Sequence, residues 1–505
     1  MEGATLTRRR PASRGLARVR AADPALLARL AFALLCVGAT IGFFVYPTYP
    51  NYDSYYSLLW GREVLALEAP TFEGFRVPTE HPLAIVAGAL LSLLGDPGDR
   101  VWIALVLAAY LWLVAGVYRL GRIAFTPLVG AIAAALLLTR FDYAFLAARG
   151  YIDIPYMAMV VWAAALEAQR SRRTTSTTSL SSGTGGAGVL LLLAAAGLLR
   201  PEAWVLAALY WCWVAWRASW GERAWLAALA AIGPVLWAAT DFAVTGDPLF
   251  SLHYTSSSAE ELGRQLPLSQ LPSAMPEFFA NLVKLPVLVA AVAGLAIALL
   301  AAPRRAAVPL ALLVGGIATF VLIGIAGASA IERYLAVAAV ALLVFAGVAF
   351  GGFTLLEPGS RLRRRWMLAS AAVAAFGIVF TAFILNLARF DAELSFRGAA
   401  HDDLVEVLAD PRVRDGLRCG PLTLPDHKLV PDARWIADLP YARVLARADP
   451  EIRTPRRGVG IYVTSRFALF KHALSSPGDS VLVQVPPQGY ERVKVTRFYS
   501  AYVSC

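Results

Sequence analysis

Apolar runs cut by short polar stretches dominate the chain from about residue 26 to 387. Runs long enough to cross a ~30 Å hydrocarbon layer fall near 26–46, 100–119, 126–140, 154–169, 187–200, 203–217, 224–243, 285–302, 307–327, 333–352 and 367–387. That pattern predicts a polytopic α-helical membrane protein with about eleven transmembrane helices. One more run, 82–95 (PLAIVAGALLSLLG), is short enough to lie at the interface or re-enter the bilayer instead of spanning it. From residue 388 the pattern changes. Short β-type runs (GIYVTS, SVLVQV, ERVKVTRFY) mix with helical ones (HDDLVEVLAD, RFALFKHAL), which predicts a small α/β domain over 388–505.

Composition agrees: of 505 residues, 58% are hydrophobic and 16% charged, too apolar for a soluble protein of this size. The net charge of +11 sits in short arginine clusters between apolar runs, the distribution of cytoplasmic loops and not of a nucleic-acid surface. Residues 1–25 read as a basic cytoplasmic tail, without the small-residue cleavage site of a signal peptide.

The same clusters orient the chain. With the N-terminus in the cytoplasm and 82–95 not crossing, Arg119/Arg122, Arg170/Arg172/Arg173, Arg217/Arg223, Arg304/Arg305 and Arg361/Arg363/Arg364/Arg365 all fall inside; if 82–95 crosses, all fall outside, against the positive-inside rule. The expected external segments are then loop 47–99 with its juxtamembrane helices, residues 140–153, the Arg200–Glu202 turn, loop 244–284, residues 328–332 and the domain 388–505. The expected location is the cell (plasma) membrane. In that oxidising setting a Cys419–Cys505 disulfide is expected, the alternative being two free thiols. The cytoplasmic loop 170–186 (from RSRRTTSTTSLSSGTGG) is of low complexity and expected to be flexible. Its GTGGAG matches a dinucleotide-binding fingerprint only by chance, because no strand precedes it.

Ionisable residues collect at the external span ends: Asp53, Glu80, His81, Arg149, Asp153, Arg200, Glu202, His253, Glu332 and Arg333. Such groups are costly near a bilayer and usually mark a site or pathway. Each also has a purely structural reading. Asp53 suits the N-cap of a helix from Ser54 to Leu67, and the tyrosines around it suit an interfacial aromatic belt. His81 before Pro82 suits a helix start, and Arg200-Pro201-Glu202 another. Arg149 with Asp153, and Glu332 with Arg333, suit interfacial ion pairs. Their common side is what sets them apart. A carboxylate there can act as general base toward a hydroxyl or amine, and nearby arginines can hold a phosphate leaving group.

The layout resembles the GT-C-fold glycosyltransferases that use polyprenyl-phosphate sugars, among them the protein O-mannosyltransferases and the aminoarabinose transferases of lipid A. The resemblance rests on a first span followed by an acidic external loop (YDSYYSLLWGREVLALEAPTF), then EHPL opening a juxtamembrane helix that ends at Gly95, a basic turn (YRLGR) after the next span, and Asp153 after the third. It covers about residues 26–350. It implies transfer of a sugar from a polyprenyl-phosphate donor to an extracytoplasmic glycan, lipid or protein acceptor, by single displacement with inversion and with Asp53 as base. It implies donor-phosphate binding by basic side chains, for which His81, Arg149, Arg200 and Arg333 are the candidates. Glu80, Asp153 and His253 would shape the site or hold a divalent metal, with Glu202 and Glu332 nearby. Two departures bear on this. The protein O-mannosyltransferases carry adjacent Asp-Glu in the first loop and HPP, where this chain has DS and HPL, which argues against a protein acceptor and mannose. No D-x-D pair stands in the first loop, which argues against an obligatory metal. The alternative function is a membrane transporter or lipid flippase, disfavoured by the lack of an internal repeat and by polar groups at span ends, not mid-span.

Overall fold

The computed structural model describes residues 23–46, 48–176, 186–261, 263, 265–328, 330–384, 387–453, 455–464 and 485–505. The chain opens with α1 (Pro24–Val45), whose apolar side chains face outward along its length. Two short helices follow, α2 (Tyr52–Leu65) and α3 (Pro82–Ser92). The bundle continues with α4 (Gly98–Ala124), α5 (Pro127–Leu138), α6 (Phe141–Ala148), α7 (Asp153–Ser176), α8 (Ala187–Gly197), α9 (Glu202–Ala215) and α10 (Trp220–Thr245). Then come α11 (Phe250–Glu261), α12 (Leu271–Val283), α13 (Leu285–Ala301), α14 (Pro303–Ile325), the 3-10 turn Glu332–Leu335, α15 (Ala336–Gly351) and α16 (Arg361–Ile384).

Every apolar run expected to span falls on a helix. By length and composition five described helices can cross a membrane alone, or seven if the bent pairs α5–α6 and α12–α13 each count as one span. The helices α8 and α9 are apolar but shorter, as is α3 on the disputed run 82–95. Several expected loops contain helices. α6 lies within 140–153, and α11 and α12 lie within 244–284. Helix α7 continues through Ser176, so the first part of the expected flexible loop 170–186 is helical. Residues 177–185, with the first half of the GTGGAG match, lie outside the described residues, as do nearly all of SVLVQV and all of RFALFKHAL.

Buried α15 forms the centre of the bundle, its Ala- and Gly-rich faces allowing backbones to approach closely. At Gly294 of α13 a Cβ would fall 1.9 Å from the Phe345 carbonyl oxygen, and at Gly347 one would fall 2.6 Å from that of Val129. Around it α4, α5, α7, α13 and α14 share one continuous apolar core.

The C-terminal region starts on α17 (Leu387–Ala409), followed by α18 (Pro411–Cys419), β1 (Leu422–Leu424), α19 (Val430–Ala437), β2 (Val444–Ala446), β3 (Gly458–Val463), β4 (Glu491–Val495) and β5 (Tyr499–Ser504). The strands form one sheet in the order β2-β1-β3-β5-β4, with β1 parallel to β2 and β3, and β5 antiparallel to β3 and β4. Its core (Leu404, Val407, Leu422, Val459, Ile461, Phe498) is separate from that of the bundle. Cys419 and Cys505 are disulfide-bonded, joining the end of α18 to the last residue of the chain.

This α/β region sits on α2. Arg434 of α19, itself buried, pairs with Glu63 at 2.6 Å, and Arg62 pairs with Asp438 at 2.6 Å while lying 5.3 Å from the Trp435 ring. The His427 ring meets Tyr52 edge-on, and the His401 ring stacks on Tyr49 at 4.2 Å. From the other side α3 packs against α2 with almost no side-chain spacer. A Cβ at Gly88 would lie 2.3 Å from the Ser57 carbonyl oxygen.

Candidate active site

Asn51, not Asp53, caps α2: its side chain accepts from the Ser54 N–H while its own N–H donates to the Arg149 carbonyl at 2.8 Å. The helix therefore begins at Tyr52, two residues earlier than the Ser54 start that an Asp53 cap requires. Asp53 falls in its first turn, half-buried, where the helix dipole favours a carboxylate. The Ser54 hydroxyl and the Trp102 indole both donate to the Gly150 carbonyl, at 2.7 and 2.8 Å, which pins this helix end to the turn between α6 and α7.

That turn leads into Asp153 at the start of α7. Asp153 accepts from Arg200 (Nη1–Oδ1 3.0 Å), which the same guanidinium extends to Glu202 (3.0 Å). All three residues are buried. Arg333, on the 3-10 turn before α15, approaches the other Asp153 oxygen at 4.0 Å. The Tyr334 ring lies 5.1 Å from the Arg200 guanidinium and 5.9 Å from that of Arg333. Asp53 lies within electrostatic reach of Arg333, and Tyr151 within reach of Asp53, Arg149, Asp153 and Arg333 together. Four short turns that are far apart in sequence thus meet at one end of the bundle.

His81 lines the same cluster. Burial first, and the positive charge of Arg200 next, push its imidazole down to about 3, so it is neutral at physiological pH. It can donate a hydrogen bond from one ring nitrogen but adds no charge. Its neighbour Glu80 belongs to a second, adjoining group. The Ser251 hydroxyl bridges Glu80 and Asp241, lying 2.9 and 2.8 Å from the two Asp241 oxygens, and accepts from the Trp237 indole at 2.6 Å. Burial and the Asp241 carboxyl push Glu80 up to about 9.

The other sequence candidates are placed elsewhere. His253 on α11 is exposed and pairs with Asp247 at 2.7 Å. Glu332 accepts from Asn281 at 3.2 Å and is exposed, so it does not pair with Arg333. Arg149 lies over the Tyr49 ring at 3.8 Å, while Asp153 takes Arg200 and Arg333 as its ion-pair partners. Tyr151, Asp241, Ser251 and Tyr334 were not singled out from the sequence; an acid near the end of the apolar run 224–243 (Asp241) was the one available signal.

Among the described residues no group of three or more His, Cys, Asp or Glu is placed to hold a metal ion. Glu80 and Asp241 are closed on each other through Ser251, and His253 is paired with Asp247 instead. These residues do not fit a metal centre. Several buried polar atoms around the cluster do lack a hydrogen-bond partner: Arg333 Nε, Arg149 Nη1, Glu202 Oε2 and His81 Nδ1. Such atoms are expensive to bury and are the natural contacts of a polar ligand.

The sequence matches no protein-family model and no curated protein. The fold does match solved structures. ArnT from Cupriavidus metallidurans bound to undecaprenyl phosphate superposes with a TM-score of 0.55 at 13% identity, over 95% of this chain and 98% of that one. Its apo state gives 0.53 at 14% identity over the same shares. The Archaeoglobus fulgidus oligosaccharyltransferase tethered with an acceptor peptide gives 0.51 at 12% identity, over 82% of this chain and 63% of that one. The chain shares the GT-C fold, which the short motifs around Asp53 and EHPL led one to expect.

Proposed function

We propose that this protein is a multi-pass membrane glycosyltransferase that moves a sugar from a polyprenyl-phosphate donor to an acceptor outside the cytoplasm. The observation that carries the reading is the meeting of Asp53 with Arg333 and the Asp153–Arg200–Glu202 network at one end of the bundle: a half-buried carboxylate beside guanidinium groups. The solved ArnT with which it shares its fold was bound to undecaprenyl phosphate, a lipid whose charged head is of the kind that guanidinium groups pair with.

In this reading Asp53 accepts the proton of an acceptor hydroxyl or amine as that group attacks the anomeric carbon. The new bond forms from the face opposite the phosphate, the bond from the anomeric carbon to the phosphate oxygen breaks, and its electron pair leaves with the polyprenyl phosphate. Configuration inverts. Arg333 offsets the charge that develops on the leaving phosphate; it has a buried Nε without a partner and only a 4.0 Å approach to Asp153. Arg200, held by two carboxylates, fixes the position of Asp153 instead. Neutral His81 supplies a hydrogen bond. The cluster would face the outer surface, with the arginine-rich ends in the cytoplasm.

The test is release of free polyprenyl phosphate by the purified full chain in nanodiscs, given polyprenyl-phosphate sugars and an envelope acceptor fraction. Asp53→Asn is expected to lower the rate by about 10²–10⁴-fold, the usual contribution of a general base, with thermal unfolding unchanged. Equal rates for both proteins would remove Asp53 from the chemistry.

A further inference from the structure

A second cluster of cations lies at the other end of the same helices. Helices α4 and α7 both begin at the candidate active site and run away from it; from Asp153 to Arg172, α7 covers about 29 Å at 1.5 Å per residue. At their far ends a cleft of about 400 Å³ is lined by Arg119, Arg122, Ile123, Gln169, Arg172 and Arg173. Arg119 donates to Gln169 at 2.7 Å and stacks on Trp162, its guanidinium 5.5 Å from the ring, while its buried Nε has no partner. Arg172 donates to the Ala124 carbonyl at 3.3 Å, which holds it at the end of α4, and Arg305 adds its like charge from α14.

No carboxylate lines this cleft among the described residues. Nor does the local sequence offer one: no Asp or Glu occurs between Asp99 and Asp142, or between Glu167 and Glu202. Glu167 itself is engaged by Arg170, Ser171 and Tyr210. Topology alone asks only that arginines be present near the helix ends; it does not ask that two helices converge them on one hollow, with one held by an amide and an indole ring. Like charges brought together in this way favour an anion between them.

We propose that this cleft binds the phosphate of an anionic phospholipid headgroup, locking the far ends of α4 and α7 to the membrane surface. Basic pockets between membrane helices recognise such headgroups by guanidinium–phosphate pairing. A soluble diphosphate presents the same chemistry, and the test separates the two. The proposal does not depend on the transferase reading.

The purified full chain is incubated with phosphatidylglycerol, cardiolipin or phosphatidylcholine and examined by native mass spectrometry, with inorganic pyrophosphate in a parallel thermal-unfolding series. Arg122→Gln with Arg173→Gln is compared with Arg364→Gln with Arg365→Gln, which removes the same charge outside the cleft. Wild type and the second variant are expected to retain the anionic lipids, and the cleft variant to lose at least about tenfold of that retention. Arg122→Lys with Arg173→Lys, which preserves charge, is expected to recover part of it and shows that the site folds. Stabilisation by pyrophosphate with no lipid retained would support the anion site with a soluble ligand. Equal loss in both Gln variants, or no retention of lipid or pyrophosphate by wild type, would overturn the proposal.

Discussion

At the scale of the residue, the two arginines beside Asp153 divide their roles by how fully they are already paired. Arg200 is buried between Asp153 and Glu202, so Arg200→Gln strips buried Glu202 of its ion-pair partner and leaves Asp153 only the 4.0 Å approach of Arg333; a loss of about 3–5 kcal/mol is expected in unfolding experiments. Arg333 is a third exposed and only loosely paired. Arg333→Gln is expected to keep the fold and to lower the turnover of donor by about 10²-fold, as loss of one charge-stabilising donor does. Glu80 makes a separate prediction. With its carboxyl raised to about 9, the folded chain binds a proton that the unfolded chain releases in the ordinary carboxylate range. Stability therefore falls as pH rises from that range toward 9. Glu80→Gln, which imitates the protonated form, should remove this part of the slope; melting temperatures taken between about pH 5 and 9 measure it.

Among the elements, α2 matters most, because it carries Asp53 and is held on three sides. Asn51 ties its start to the α6–α7 turn, α3 presses against it through Gly88, and α19 grips it through Arg434 and Glu63. The position of Asp53 thus depends on packing well away from it. Gly88→Ala puts a methyl group 2.3 Å from the Ser57 carbonyl oxygen, so α2 or α3 must shift. A loss of about 1–3 kcal/mol is expected from such overpacking. Displacement of Asp53 should lower transfer as well; unchanged transfer in a destabilised Gly88→Ala protein would uncouple α3 from the site.

For the whole molecule, the C-terminal α/β region both covers α2 and reports on orientation. Its disulfide closes 86 residues of sequence separation, and Cys419→Ser is expected to cost about 2–4 kcal/mol. A membrane-impermeant thiol reagent applied to intact cells should label Cys419 and Cys505 only after an external reductant. Labelling that requires permeabilised cells would reverse the topology and place the site in the cytoplasm.

Sequence alone determined what depends on chain-local physics. Apolar runs have the length of a hydrocarbon layer, short arginine clusters recur between them, and the motifs around Asp53 and EHPL carry the likeness to the fold that was found. It also brought Asp53, His81, Asp153, Arg200 and Arg333 to a common side, since side is set by counting spans. Which of them touch was decided only by tertiary packing. Asp153 and Arg200 are separated by α7 and α8, and nothing in either local sequence says that they meet at 3.0 Å while Glu332 turns to Asn281 and His253 to Asp247. The cap of α2 went to Asn51 because the α6–α7 turn offers its backbone a partner there. Burial, too, is a property of the assembled bundle: it keeps His81 neutral and Glu80 protonated, which their residue types alone could not indicate.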